Sequence, residues 1–252
     1  MKFRLKAFGW HILASACALS LILGTLYLGW YRWPGWYLTG VAPVCLVMVG
    51  VDVVLGPLLT FTIAGPAKPR RALARDISII VAVQLIALTY GAVSLWSGRP
   101  LYYAYSESVL QVVQAYDINA DQAAAGRRLN PKLAPHWYSL PRWIWAPLPK
   151  DDPQKSIQIV NSAVLGGDDV ISMPEYFQPW DQGVPELKTR LKKVHDVAYF
   201  IASDKKRLEE RLRAAGFPAD QLNSMPLTGR GKPLLAVFEP DSGKIAAIFS
   251  PK

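Results

Sequence analysis

Three long apolar runs dominate the first hundred positions. Residues 8–30, FGWHILASACALSLILGTLYLGW, carry one group that ordinarily titrates near neutral pH, His11. Residues 39–64 form the second run and residues 77–96 the third. Each reaches the about 20 residues that a helix needs to cross a bilayer core. Each is expected to be helical, because lipid offers backbone groups no partner. Beyond residue 97 the pattern breaks into short elements. LYYAYSESVLQVVQAY (101–116) alternates and predicts two strands around a turn at 106–108. Residues 118–150, rich in Pro, Asn, Asp and Trp, predict a long surface loop. DDPQKSIQIVNSAVLGG (151–167) has a helix signature: Asp152 as cap, Pro153 at the first position, Gly166-Gly167 as stop. Residues 168–182 read as irregular. Residues 185–201 and 203–216 read as helices, the second capped by Ser203 and stopped by Gly216. Residues 234–249 predict a hairpin around Pro240-Asp241-Ser242-Gly243.

The expected fold is therefore a membrane protein: three transmembrane α-helices within residues 1–98, followed by a small α+β domain over 99–252. Its first and last strands are expected to share a sheet.

Charge sharpens this division. The formal net charge is +9. Residues 1–96 hold two acidic groups, Asp52 and Asp76, against eight basic ones, and residues 97–252 hold 17 acidic against 20 basic. The excess sits beside the apolar runs rather than on a basic face of the polar half, which argues against nucleic-acid binding. Lys2, Arg4 and Lys6 flank the first run, and Lys68, Arg70, Arg71 and Arg75 lie between the second and third, whereas the first connection has only Arg32. The positive-inside rule then places the N-terminus in the cytoplasm and residues 97–252 across the membrane. Trp30, Tyr31, Trp33, Trp36 and Tyr37 suit the outer interface. The first run is too long for a signal-peptide core and lacks an A-x-A site, so an uncleaved anchor is expected. Cys17 and Cys45 lie in apolar runs and read as small hydrophobes. No disulfide, Cys-based metal site or cofactor is expected.

The most costly residue is Asp52, in GVDVVLGPLLT (50–60). It lies about 18 Å of helix rise from either end of the second run. An ionised carboxylate there costs at least ~3 kcal/mol. Ser20, Thr89 and Tyr90 fall at a similar depth and are candidate partners. Pro57 removes the amide that would bond the carbonyl of Val53, and Gly56 opens a notch for a close helix. Two readings stand: Asp52 holds this chain's own helices together, or Asp52, Gly56 and Pro57 receive a helix from a partner. Ala87-x-x-x-Gly91 is a candidate surface for self-association.

In the polar half no nucleophile elbow, H-E-x-x-H or phosphate loop appears. His136 and His195 lack metal-ligand spacing, and Asp151-Asp152 and Asp168-Asp169 read as a helix start and a turn. HWYSLPRWIWAPLP (136–149) carries Trp137, Tyr138, Trp143 and Trp145 between prolines. It is a contact surface, a loop packed on its own domain, or a rest at the headgroups.

GVDVVLGPLLT with its basic loop, the span ending near SGRPLYYAY, then GGDDVISMPEYFQPWDQ and MPLTGRGKPLLAVFEPDSGKIAAIF together resemble the type IV pilin accessory proteins of the TfpX/TfpZ type. The resemblance runs from about residue 5 to 249. It implies an inner-membrane protein that assists a cognate major pilin, with no catalytic residues to carry over and no cofactor. On that expectation Asp52, Gly56 and Pro57 meet the pilin's transmembrane helix, and surfaces around Trp143 and Trp145, or Tyr176 and Trp180, meet its periplasmic head. The lipid bilayer and the pilus assembly platform are the other expected partners. An enzyme acting on pilin or envelope material is the alternative.

Overall fold

The computed structural model describes residues 1–65, 68–194, 196, 205–217, 222–239 and 242–250. The chain packs as two units. One holds Met1–Arg32 and Val41–Gly98; the other holds Trp33–Gly40 and Arg99–Lys252. Residues 33–40, which the apolar pattern assigns to the first region, thus pack with the second.

In the first unit three helices are long and apolar enough to cross a membrane: Lys2–Tyr31, Ala42–Ile63 and Arg70–Ser97. The first is α1 (Lys2–Leu26) running into a π turn, Tyr27–Tyr31. It begins before the apolar run, as does α5 (Arg70–Ser97). Lys and Arg are good helix formers, so the apolar edge and the helix end need not coincide. The second is composite: α3 (Ala42–Val49), a π segment (Gly50–Leu55) and α4 (Gly56–Ile63). Leu19, Leu26, Val41, Cys45, Met48 and Leu95 form its apolar core. The Tyr31 hydroxyl donates to the Leu95 carbonyl at 2.7 Å. A Cβ on Gly91 would stand 2.6 Å from the Met48 side chain. The face offered by Ala87-x-x-x-Gly91 is therefore filled at Gly91 by this chain's own second helix.

The second unit is built on a sheet with strand order β4-β3-β1-β2-β6-β7-β8, with β5 paired to β6. The strands are β1 (Pro100–Ser106), β2 (Val109–Gln114), β3 (Arg142–Trp145), β4 (Gln178–Pro179), β5 (Lys192–Lys193), β6 (Asn223–Thr228), β7 (Leu234–Phe238) and β8 (Ile245–Phe249). β1 and β8 share the sheet, with β2, β6 and β7 between them. Period-two alternation assigns the faces. Tyr103 and Tyr105 of β1 join Leu110, Leu227, Ala236 and Phe238 on one side. Tyr102 and Ala104 join Val113, Ile144 and Phe177 in a second cluster. Leu235 and Val237 of β7 meet Leu208 and Leu212 of α9 (Lys205–Ala214) in a third.

Several sequence expectations are corrected. Residues 118–150 are not one loop: they hold α6 (Ala120–Leu129) and β3. The signal for α6 was the pair Asn119 and Gln122, a reciprocal capping box in which each side chain bonds the other's amide. α7 (Pro153–Val164) starts as expected, with the Asp152 carboxylate accepting from the Lys155 amide at 3.0 Å. α8 spans Trp180–Arg190, earlier than the expected 185–201, and Leu191 turns extended. His195, the Ser203 cap and the Pro240-Asp241 tip lie outside the described residues. β6 was masked by Pro226, a residue that argues against a strand. Here Pro226 stands opposite Leu235 in the ladder with β7, while on its other side β6 pairs with β5 through Asn223 and Ser224 and with β2 through Leu227 and Thr228, so on that side Pro226 falls between the two partners.

The segment Trp33–Gly40 contains α2 (Gly35–Thr39). Leu38 is fully buried in the sheet core. The Gly231 amide donates to the Leu38 carbonyl at 2.6 Å. A Cβ on Gly231 would lie 2.0 Å from the Tyr37 carbonyl oxygen, and one on Gly229 would lie 2.5 Å from that of Leu38.

Candidate functional site

Asp52 sits in the π segment, where hydrogen bonds run from residue i to i+5. The Gly56 amide accordingly bonds the Val51 carbonyl. In that register the next carbonyl, that of Asp52, would need the amide of residue 57, and Pro57 has none. The acceptor freed by the proline is thus Asp52 itself, not Val53 as an α register implies. Gln84 of α5 supplies the missing donor: its Nε2 lies 3.1 Å from the Asp52 carbonyl oxygen and 3.5 Å from Asp52 Oδ1.

The network continues to α1. Gln84 Oε1 stands 2.6 Å from His11 Nε2, and His11 Nδ1 stands 2.6 Å from Thr60 Oγ1. With the Gln84 amide nitrogen aimed at Asp52, Oε1 is an acceptor, so His11 Nε2 carries the proton there. The Thr60 hydroxyl is the partner of the other ring nitrogen, Nδ1. Asp52, Thr60 and Gln84 are each less than a tenth exposed. All three long helices are joined by side chains that would be costly in apolar surroundings if unpaired.

These partners replace the expected ones. Tyr90 is 76% exposed, and Thr89 bonds the Leu85 carbonyl of its own helix. Counting residues along a helix gives height but not the direction a side chain faces. The signal for Gln84 was its amide alone among aliphatic neighbours in the third run. Gly56 and Pro57 are buried. A Cβ on Gly56 would fall 2.1 Å from Gln84 Nε2, so the notch expected to face a partner is filled by Gln84.

What remains open lies along α1 and α5. Asp52 lines a cavity of about 160 Å³ with His11, Ala14, Ser15, Ala18 and Leu88 among its walls. Its Oδ2 is buried with no hydrogen-bond partner among the described residues. Leu88 also lines an apolar groove of about 500 Å³, with Leu21, Thr25, Ala92, Val93 and Trp96. The seam between the two helices is thus largely apolar, with Ala14, Ser15, Ala18, Thr25 and Ala92 as small residues among larger ones, and one under-bonded carboxyl at its foot. Small residues permit close helix approach, and an unsatisfied polar atom favours a donor from whatever fills the space.

In the second unit the expected contact aromatics pack inward. Trp143 lies between Tyr103, at 4.7 Å, and Trp180, at 5.3 Å between ring centroids. Trp145 presses on Gly183, where a Cβ would be 2.4 Å from Trp145 Cγ. Tyr176 is half-buried, with the Lys155 ammonium 5.4 Å from its ring centroid. The exposed aromatics of that stretch are Trp137 and Tyr138, 73% and 58% exposed.

A polar cleft of about 340 Å³ brings the Gly167-Asp168-Asp169 turn together with Gly229-Arg230, Asp117 and Ser172. The Arg230 guanidinium lies 4.2 Å above the Tyr116 ring and 3.7 Å from Asp117. Ser172 Oγ donates to the Asp169 carbonyl at 2.8 Å and accepts from Gln122 Nε2 at 3.1 Å, which suits a structural hydroxyl better than a nucleophile. Among the described residues no group of three or more His, Cys, Asp or Glu is placed to hold a metal. Burial pushes the Asp117 carboxyl above its ordinary pKa, against the opposing pull of the Gln114 amide and Arg230. Its folded form therefore holds a proton to higher pH than the unfolded chain. Stability from this residue is full below the unfolded pKa and is lost as pH rises through the raised folded value. Asp117→Asn is expected to flatten that part of the stability–pH curve, measured by thermal unfolding at successive pH values; an unchanged slope would show that Asp117 titrates normally.

Known proteins place the chain. It is 30% identical over 159 residues to the fimbrial assembly protein of serogroup I of Dichelobacter nodosus, and 28% over 159 residues to that of serogroup E1. Each match covers 62% of this chain and 62% of the relative, so somewhat over a third of each relative lies outside it. Against the protein of serogroups C1 and C2 it is 30% identical over 120 residues, which span 48% of this chain and 92% of that relative. The chain belongs to the family of these fimbrial assembly proteins. No protein-family model matches this family member, and no solved structure matches it.

Proposed function

We propose that this fimbrial assembly family member is an inner-membrane accessory protein of the TfpX/TfpZ type, which assists a type IV pilin and modulates pilus assembly. The observation that carries the reading is the match over 92% of a fimbrial assembly protein. Three helices of spanning length support a membrane setting. The basic residues before the first apolar run and between the second and third runs support a cytoplasmic N-terminus, with the sheet unit in the periplasm.

The groove between α1 and α5 suggests how the role is performed. A pilin's single transmembrane helix lies along Ala14, Ala18, Thr25 and Ala92, and a donor on that helix meets the free oxygen of Asp52. Gln84 and Gly56 hold Asp52 in place rather than touching the pilin. A second contact, between the sheet unit and the pilin head, makes the two sites act as one multivalent grip. The role is non-catalytic.

A photo-crosslinker at residue 18 or 93 of the full chain, in cells expressing the cognate pilin, is expected to capture that pilin. The yield should fall severalfold in Asp52→Leu. Capture of the assembly platform alone would move the partner, and capture only of this chain's own helices would remove the proposed site.

A further inference from the structure

The second unit contains six tryptophans, and their exposure divides sharply. Trp143, Trp145 and Trp180 pack against the sheet core. Trp33, Trp36 and Trp137 are exposed, at 51%, 38% and 73%. Trp33 and Trp36 lie in the short connection between the first two apolar helices, within a few residues of either helix. Trp137 is distant in sequence but tied to a similar place. Its carbonyl accepts from Arg99 Nη2 at 3.4 Å. Arg99 follows the last residue of α5, Ser97, by two positions, which extended chain covers in at most about 7 Å. Two exposed tryptophans of this unit thus lie next to apolar helices along the chain, and the third is bonded to Arg99, two positions after the last of them.

The surroundings of Trp137 have the composition of a membrane-surface segment. Between Asp121 and Asp151 there is no acidic residue, while Arg127, Arg128, Lys132, Arg142 and Lys150 all fall in that interval. The exposed positions there combine Leu129, Trp137, Tyr138 and Leu140 with Arg127, Arg128, Lys132 and Lys150. The aromatic tip is also preformed. His136 stacks on Tyr138 at 5.4 Å and 11°, and the Ser139 hydroxyl accepts from the His136 amide at 2.9 Å. Side chains already held outward lose little freedom when they are covered.

We propose that residues 127–140 rest in the headgroup layer of the membrane, with Trp137, Tyr138 and Leu140 at the acyl boundary and Arg127, Arg128 and Lys132 on anionic headgroups. Tryptophan and tyrosine favour this layer, and lysine and arginine add attraction to anionic lipid. The inference rests on the reading of the apolar helices as membrane spans, and reaches beyond it by giving the sheet unit its own lipid contact.

The test uses nitroxide labels on the full chain, with Cys17→Ser as the parent because Cys45 is buried. Labels are placed singly at exposed residues 138, 140, 154 and 83, and the protein is reconstituted in vesicles of three parts phosphatidylethanolamine to one of phosphatidylglycerol. Collision with oxygen, which partitions into lipid, is compared with collision with a water-soluble nickel chelate. The oxygen-to-nickel ratio at 138 and 140 is expected to exceed that at 154 at least threefold, with 83 higher still. Ratios at 138 and 140 equal to that at 154 would place the segment in water and overturn the proposal while leaving the spans intact. Shielding from both agents would assign the surface to a protein and also overturn it. A water-like ratio at 83 would remove the membrane setting, and the proposal with it.

Discussion

Gly56→Ala is expected to destabilise the helical unit by about 2–4 kcal/mol, a sum of overpacking and lost interhelical hydrogen bonds. The added methyl would stand 2.1 Å from Gln84 Nε2 and 2.4 Å from Gln84 Cδ, so the amide has to leave its seat. When it leaves, the Asp52 carbonyl has no donor, and His11 Nε2 loses its acceptor. The cost should be measured by unfolding in mixed micelles, alongside Gln84→Ala and the double variant. If both substitutions act through the one contact, the double variant should fall well short of the sum, with a coupling of about 1 kcal/mol or more. Simple additivity would mean that the helices shift apart to absorb the methyl and that the amide is not its target.

Gly231→Ala should have at least as large an effect on the second unit. Here the clash is with backbone, 2.0 Å from the Tyr37 carbonyl oxygen, and no side chain can rotate away to relieve it. The expected result is release of Trp33–Gly40, with loss of the bond from the Gly231 amide to Leu38 and exposure of the leucine. Emptying a buried leucine site alone costs about 2–5 kcal/mol. Chymotrypsin should cut near Tyr37 at least tenfold faster in the variant than in the parent. Unchanged cutting would show that the segment stays docked by other contacts.

The three long helices were legible because an apolar run of about 20 residues or more leaves few alternatives to a long helix. The central aspartate was legible for the same reason, since nothing else so costly stands in the runs. Its partners were not. They depend on the π turn, which moves the vacant acceptor from Val53 to Asp52, and on how α1 and α5 are rotated about their axes. The sheet unit was legible where a turn or cap marks an element, as at Asp152, and illegible where local chemistry misleads, as at Pro226. The aromatic stretch was ambiguous by nature. Trp137 and Trp143 look alike in sequence, and what separates them is Tyr103 and Trp180 waiting for one and Arg99 holding the backbone of the other.

The docking of Leu38 has a bearing on how this chain is made. A ribosome delivers residues 33–40 long before Gly229 and Gly231, the glycines that receive them. Until those arrive, the first connection lacks the backbone contacts that complete its seat, so the sheet unit can close fully only near the end of synthesis. A fragment started at Arg99 would never contain the leucine, and should be sticky and hard to purify for want of eight residues that belong, in sequence, to the other half.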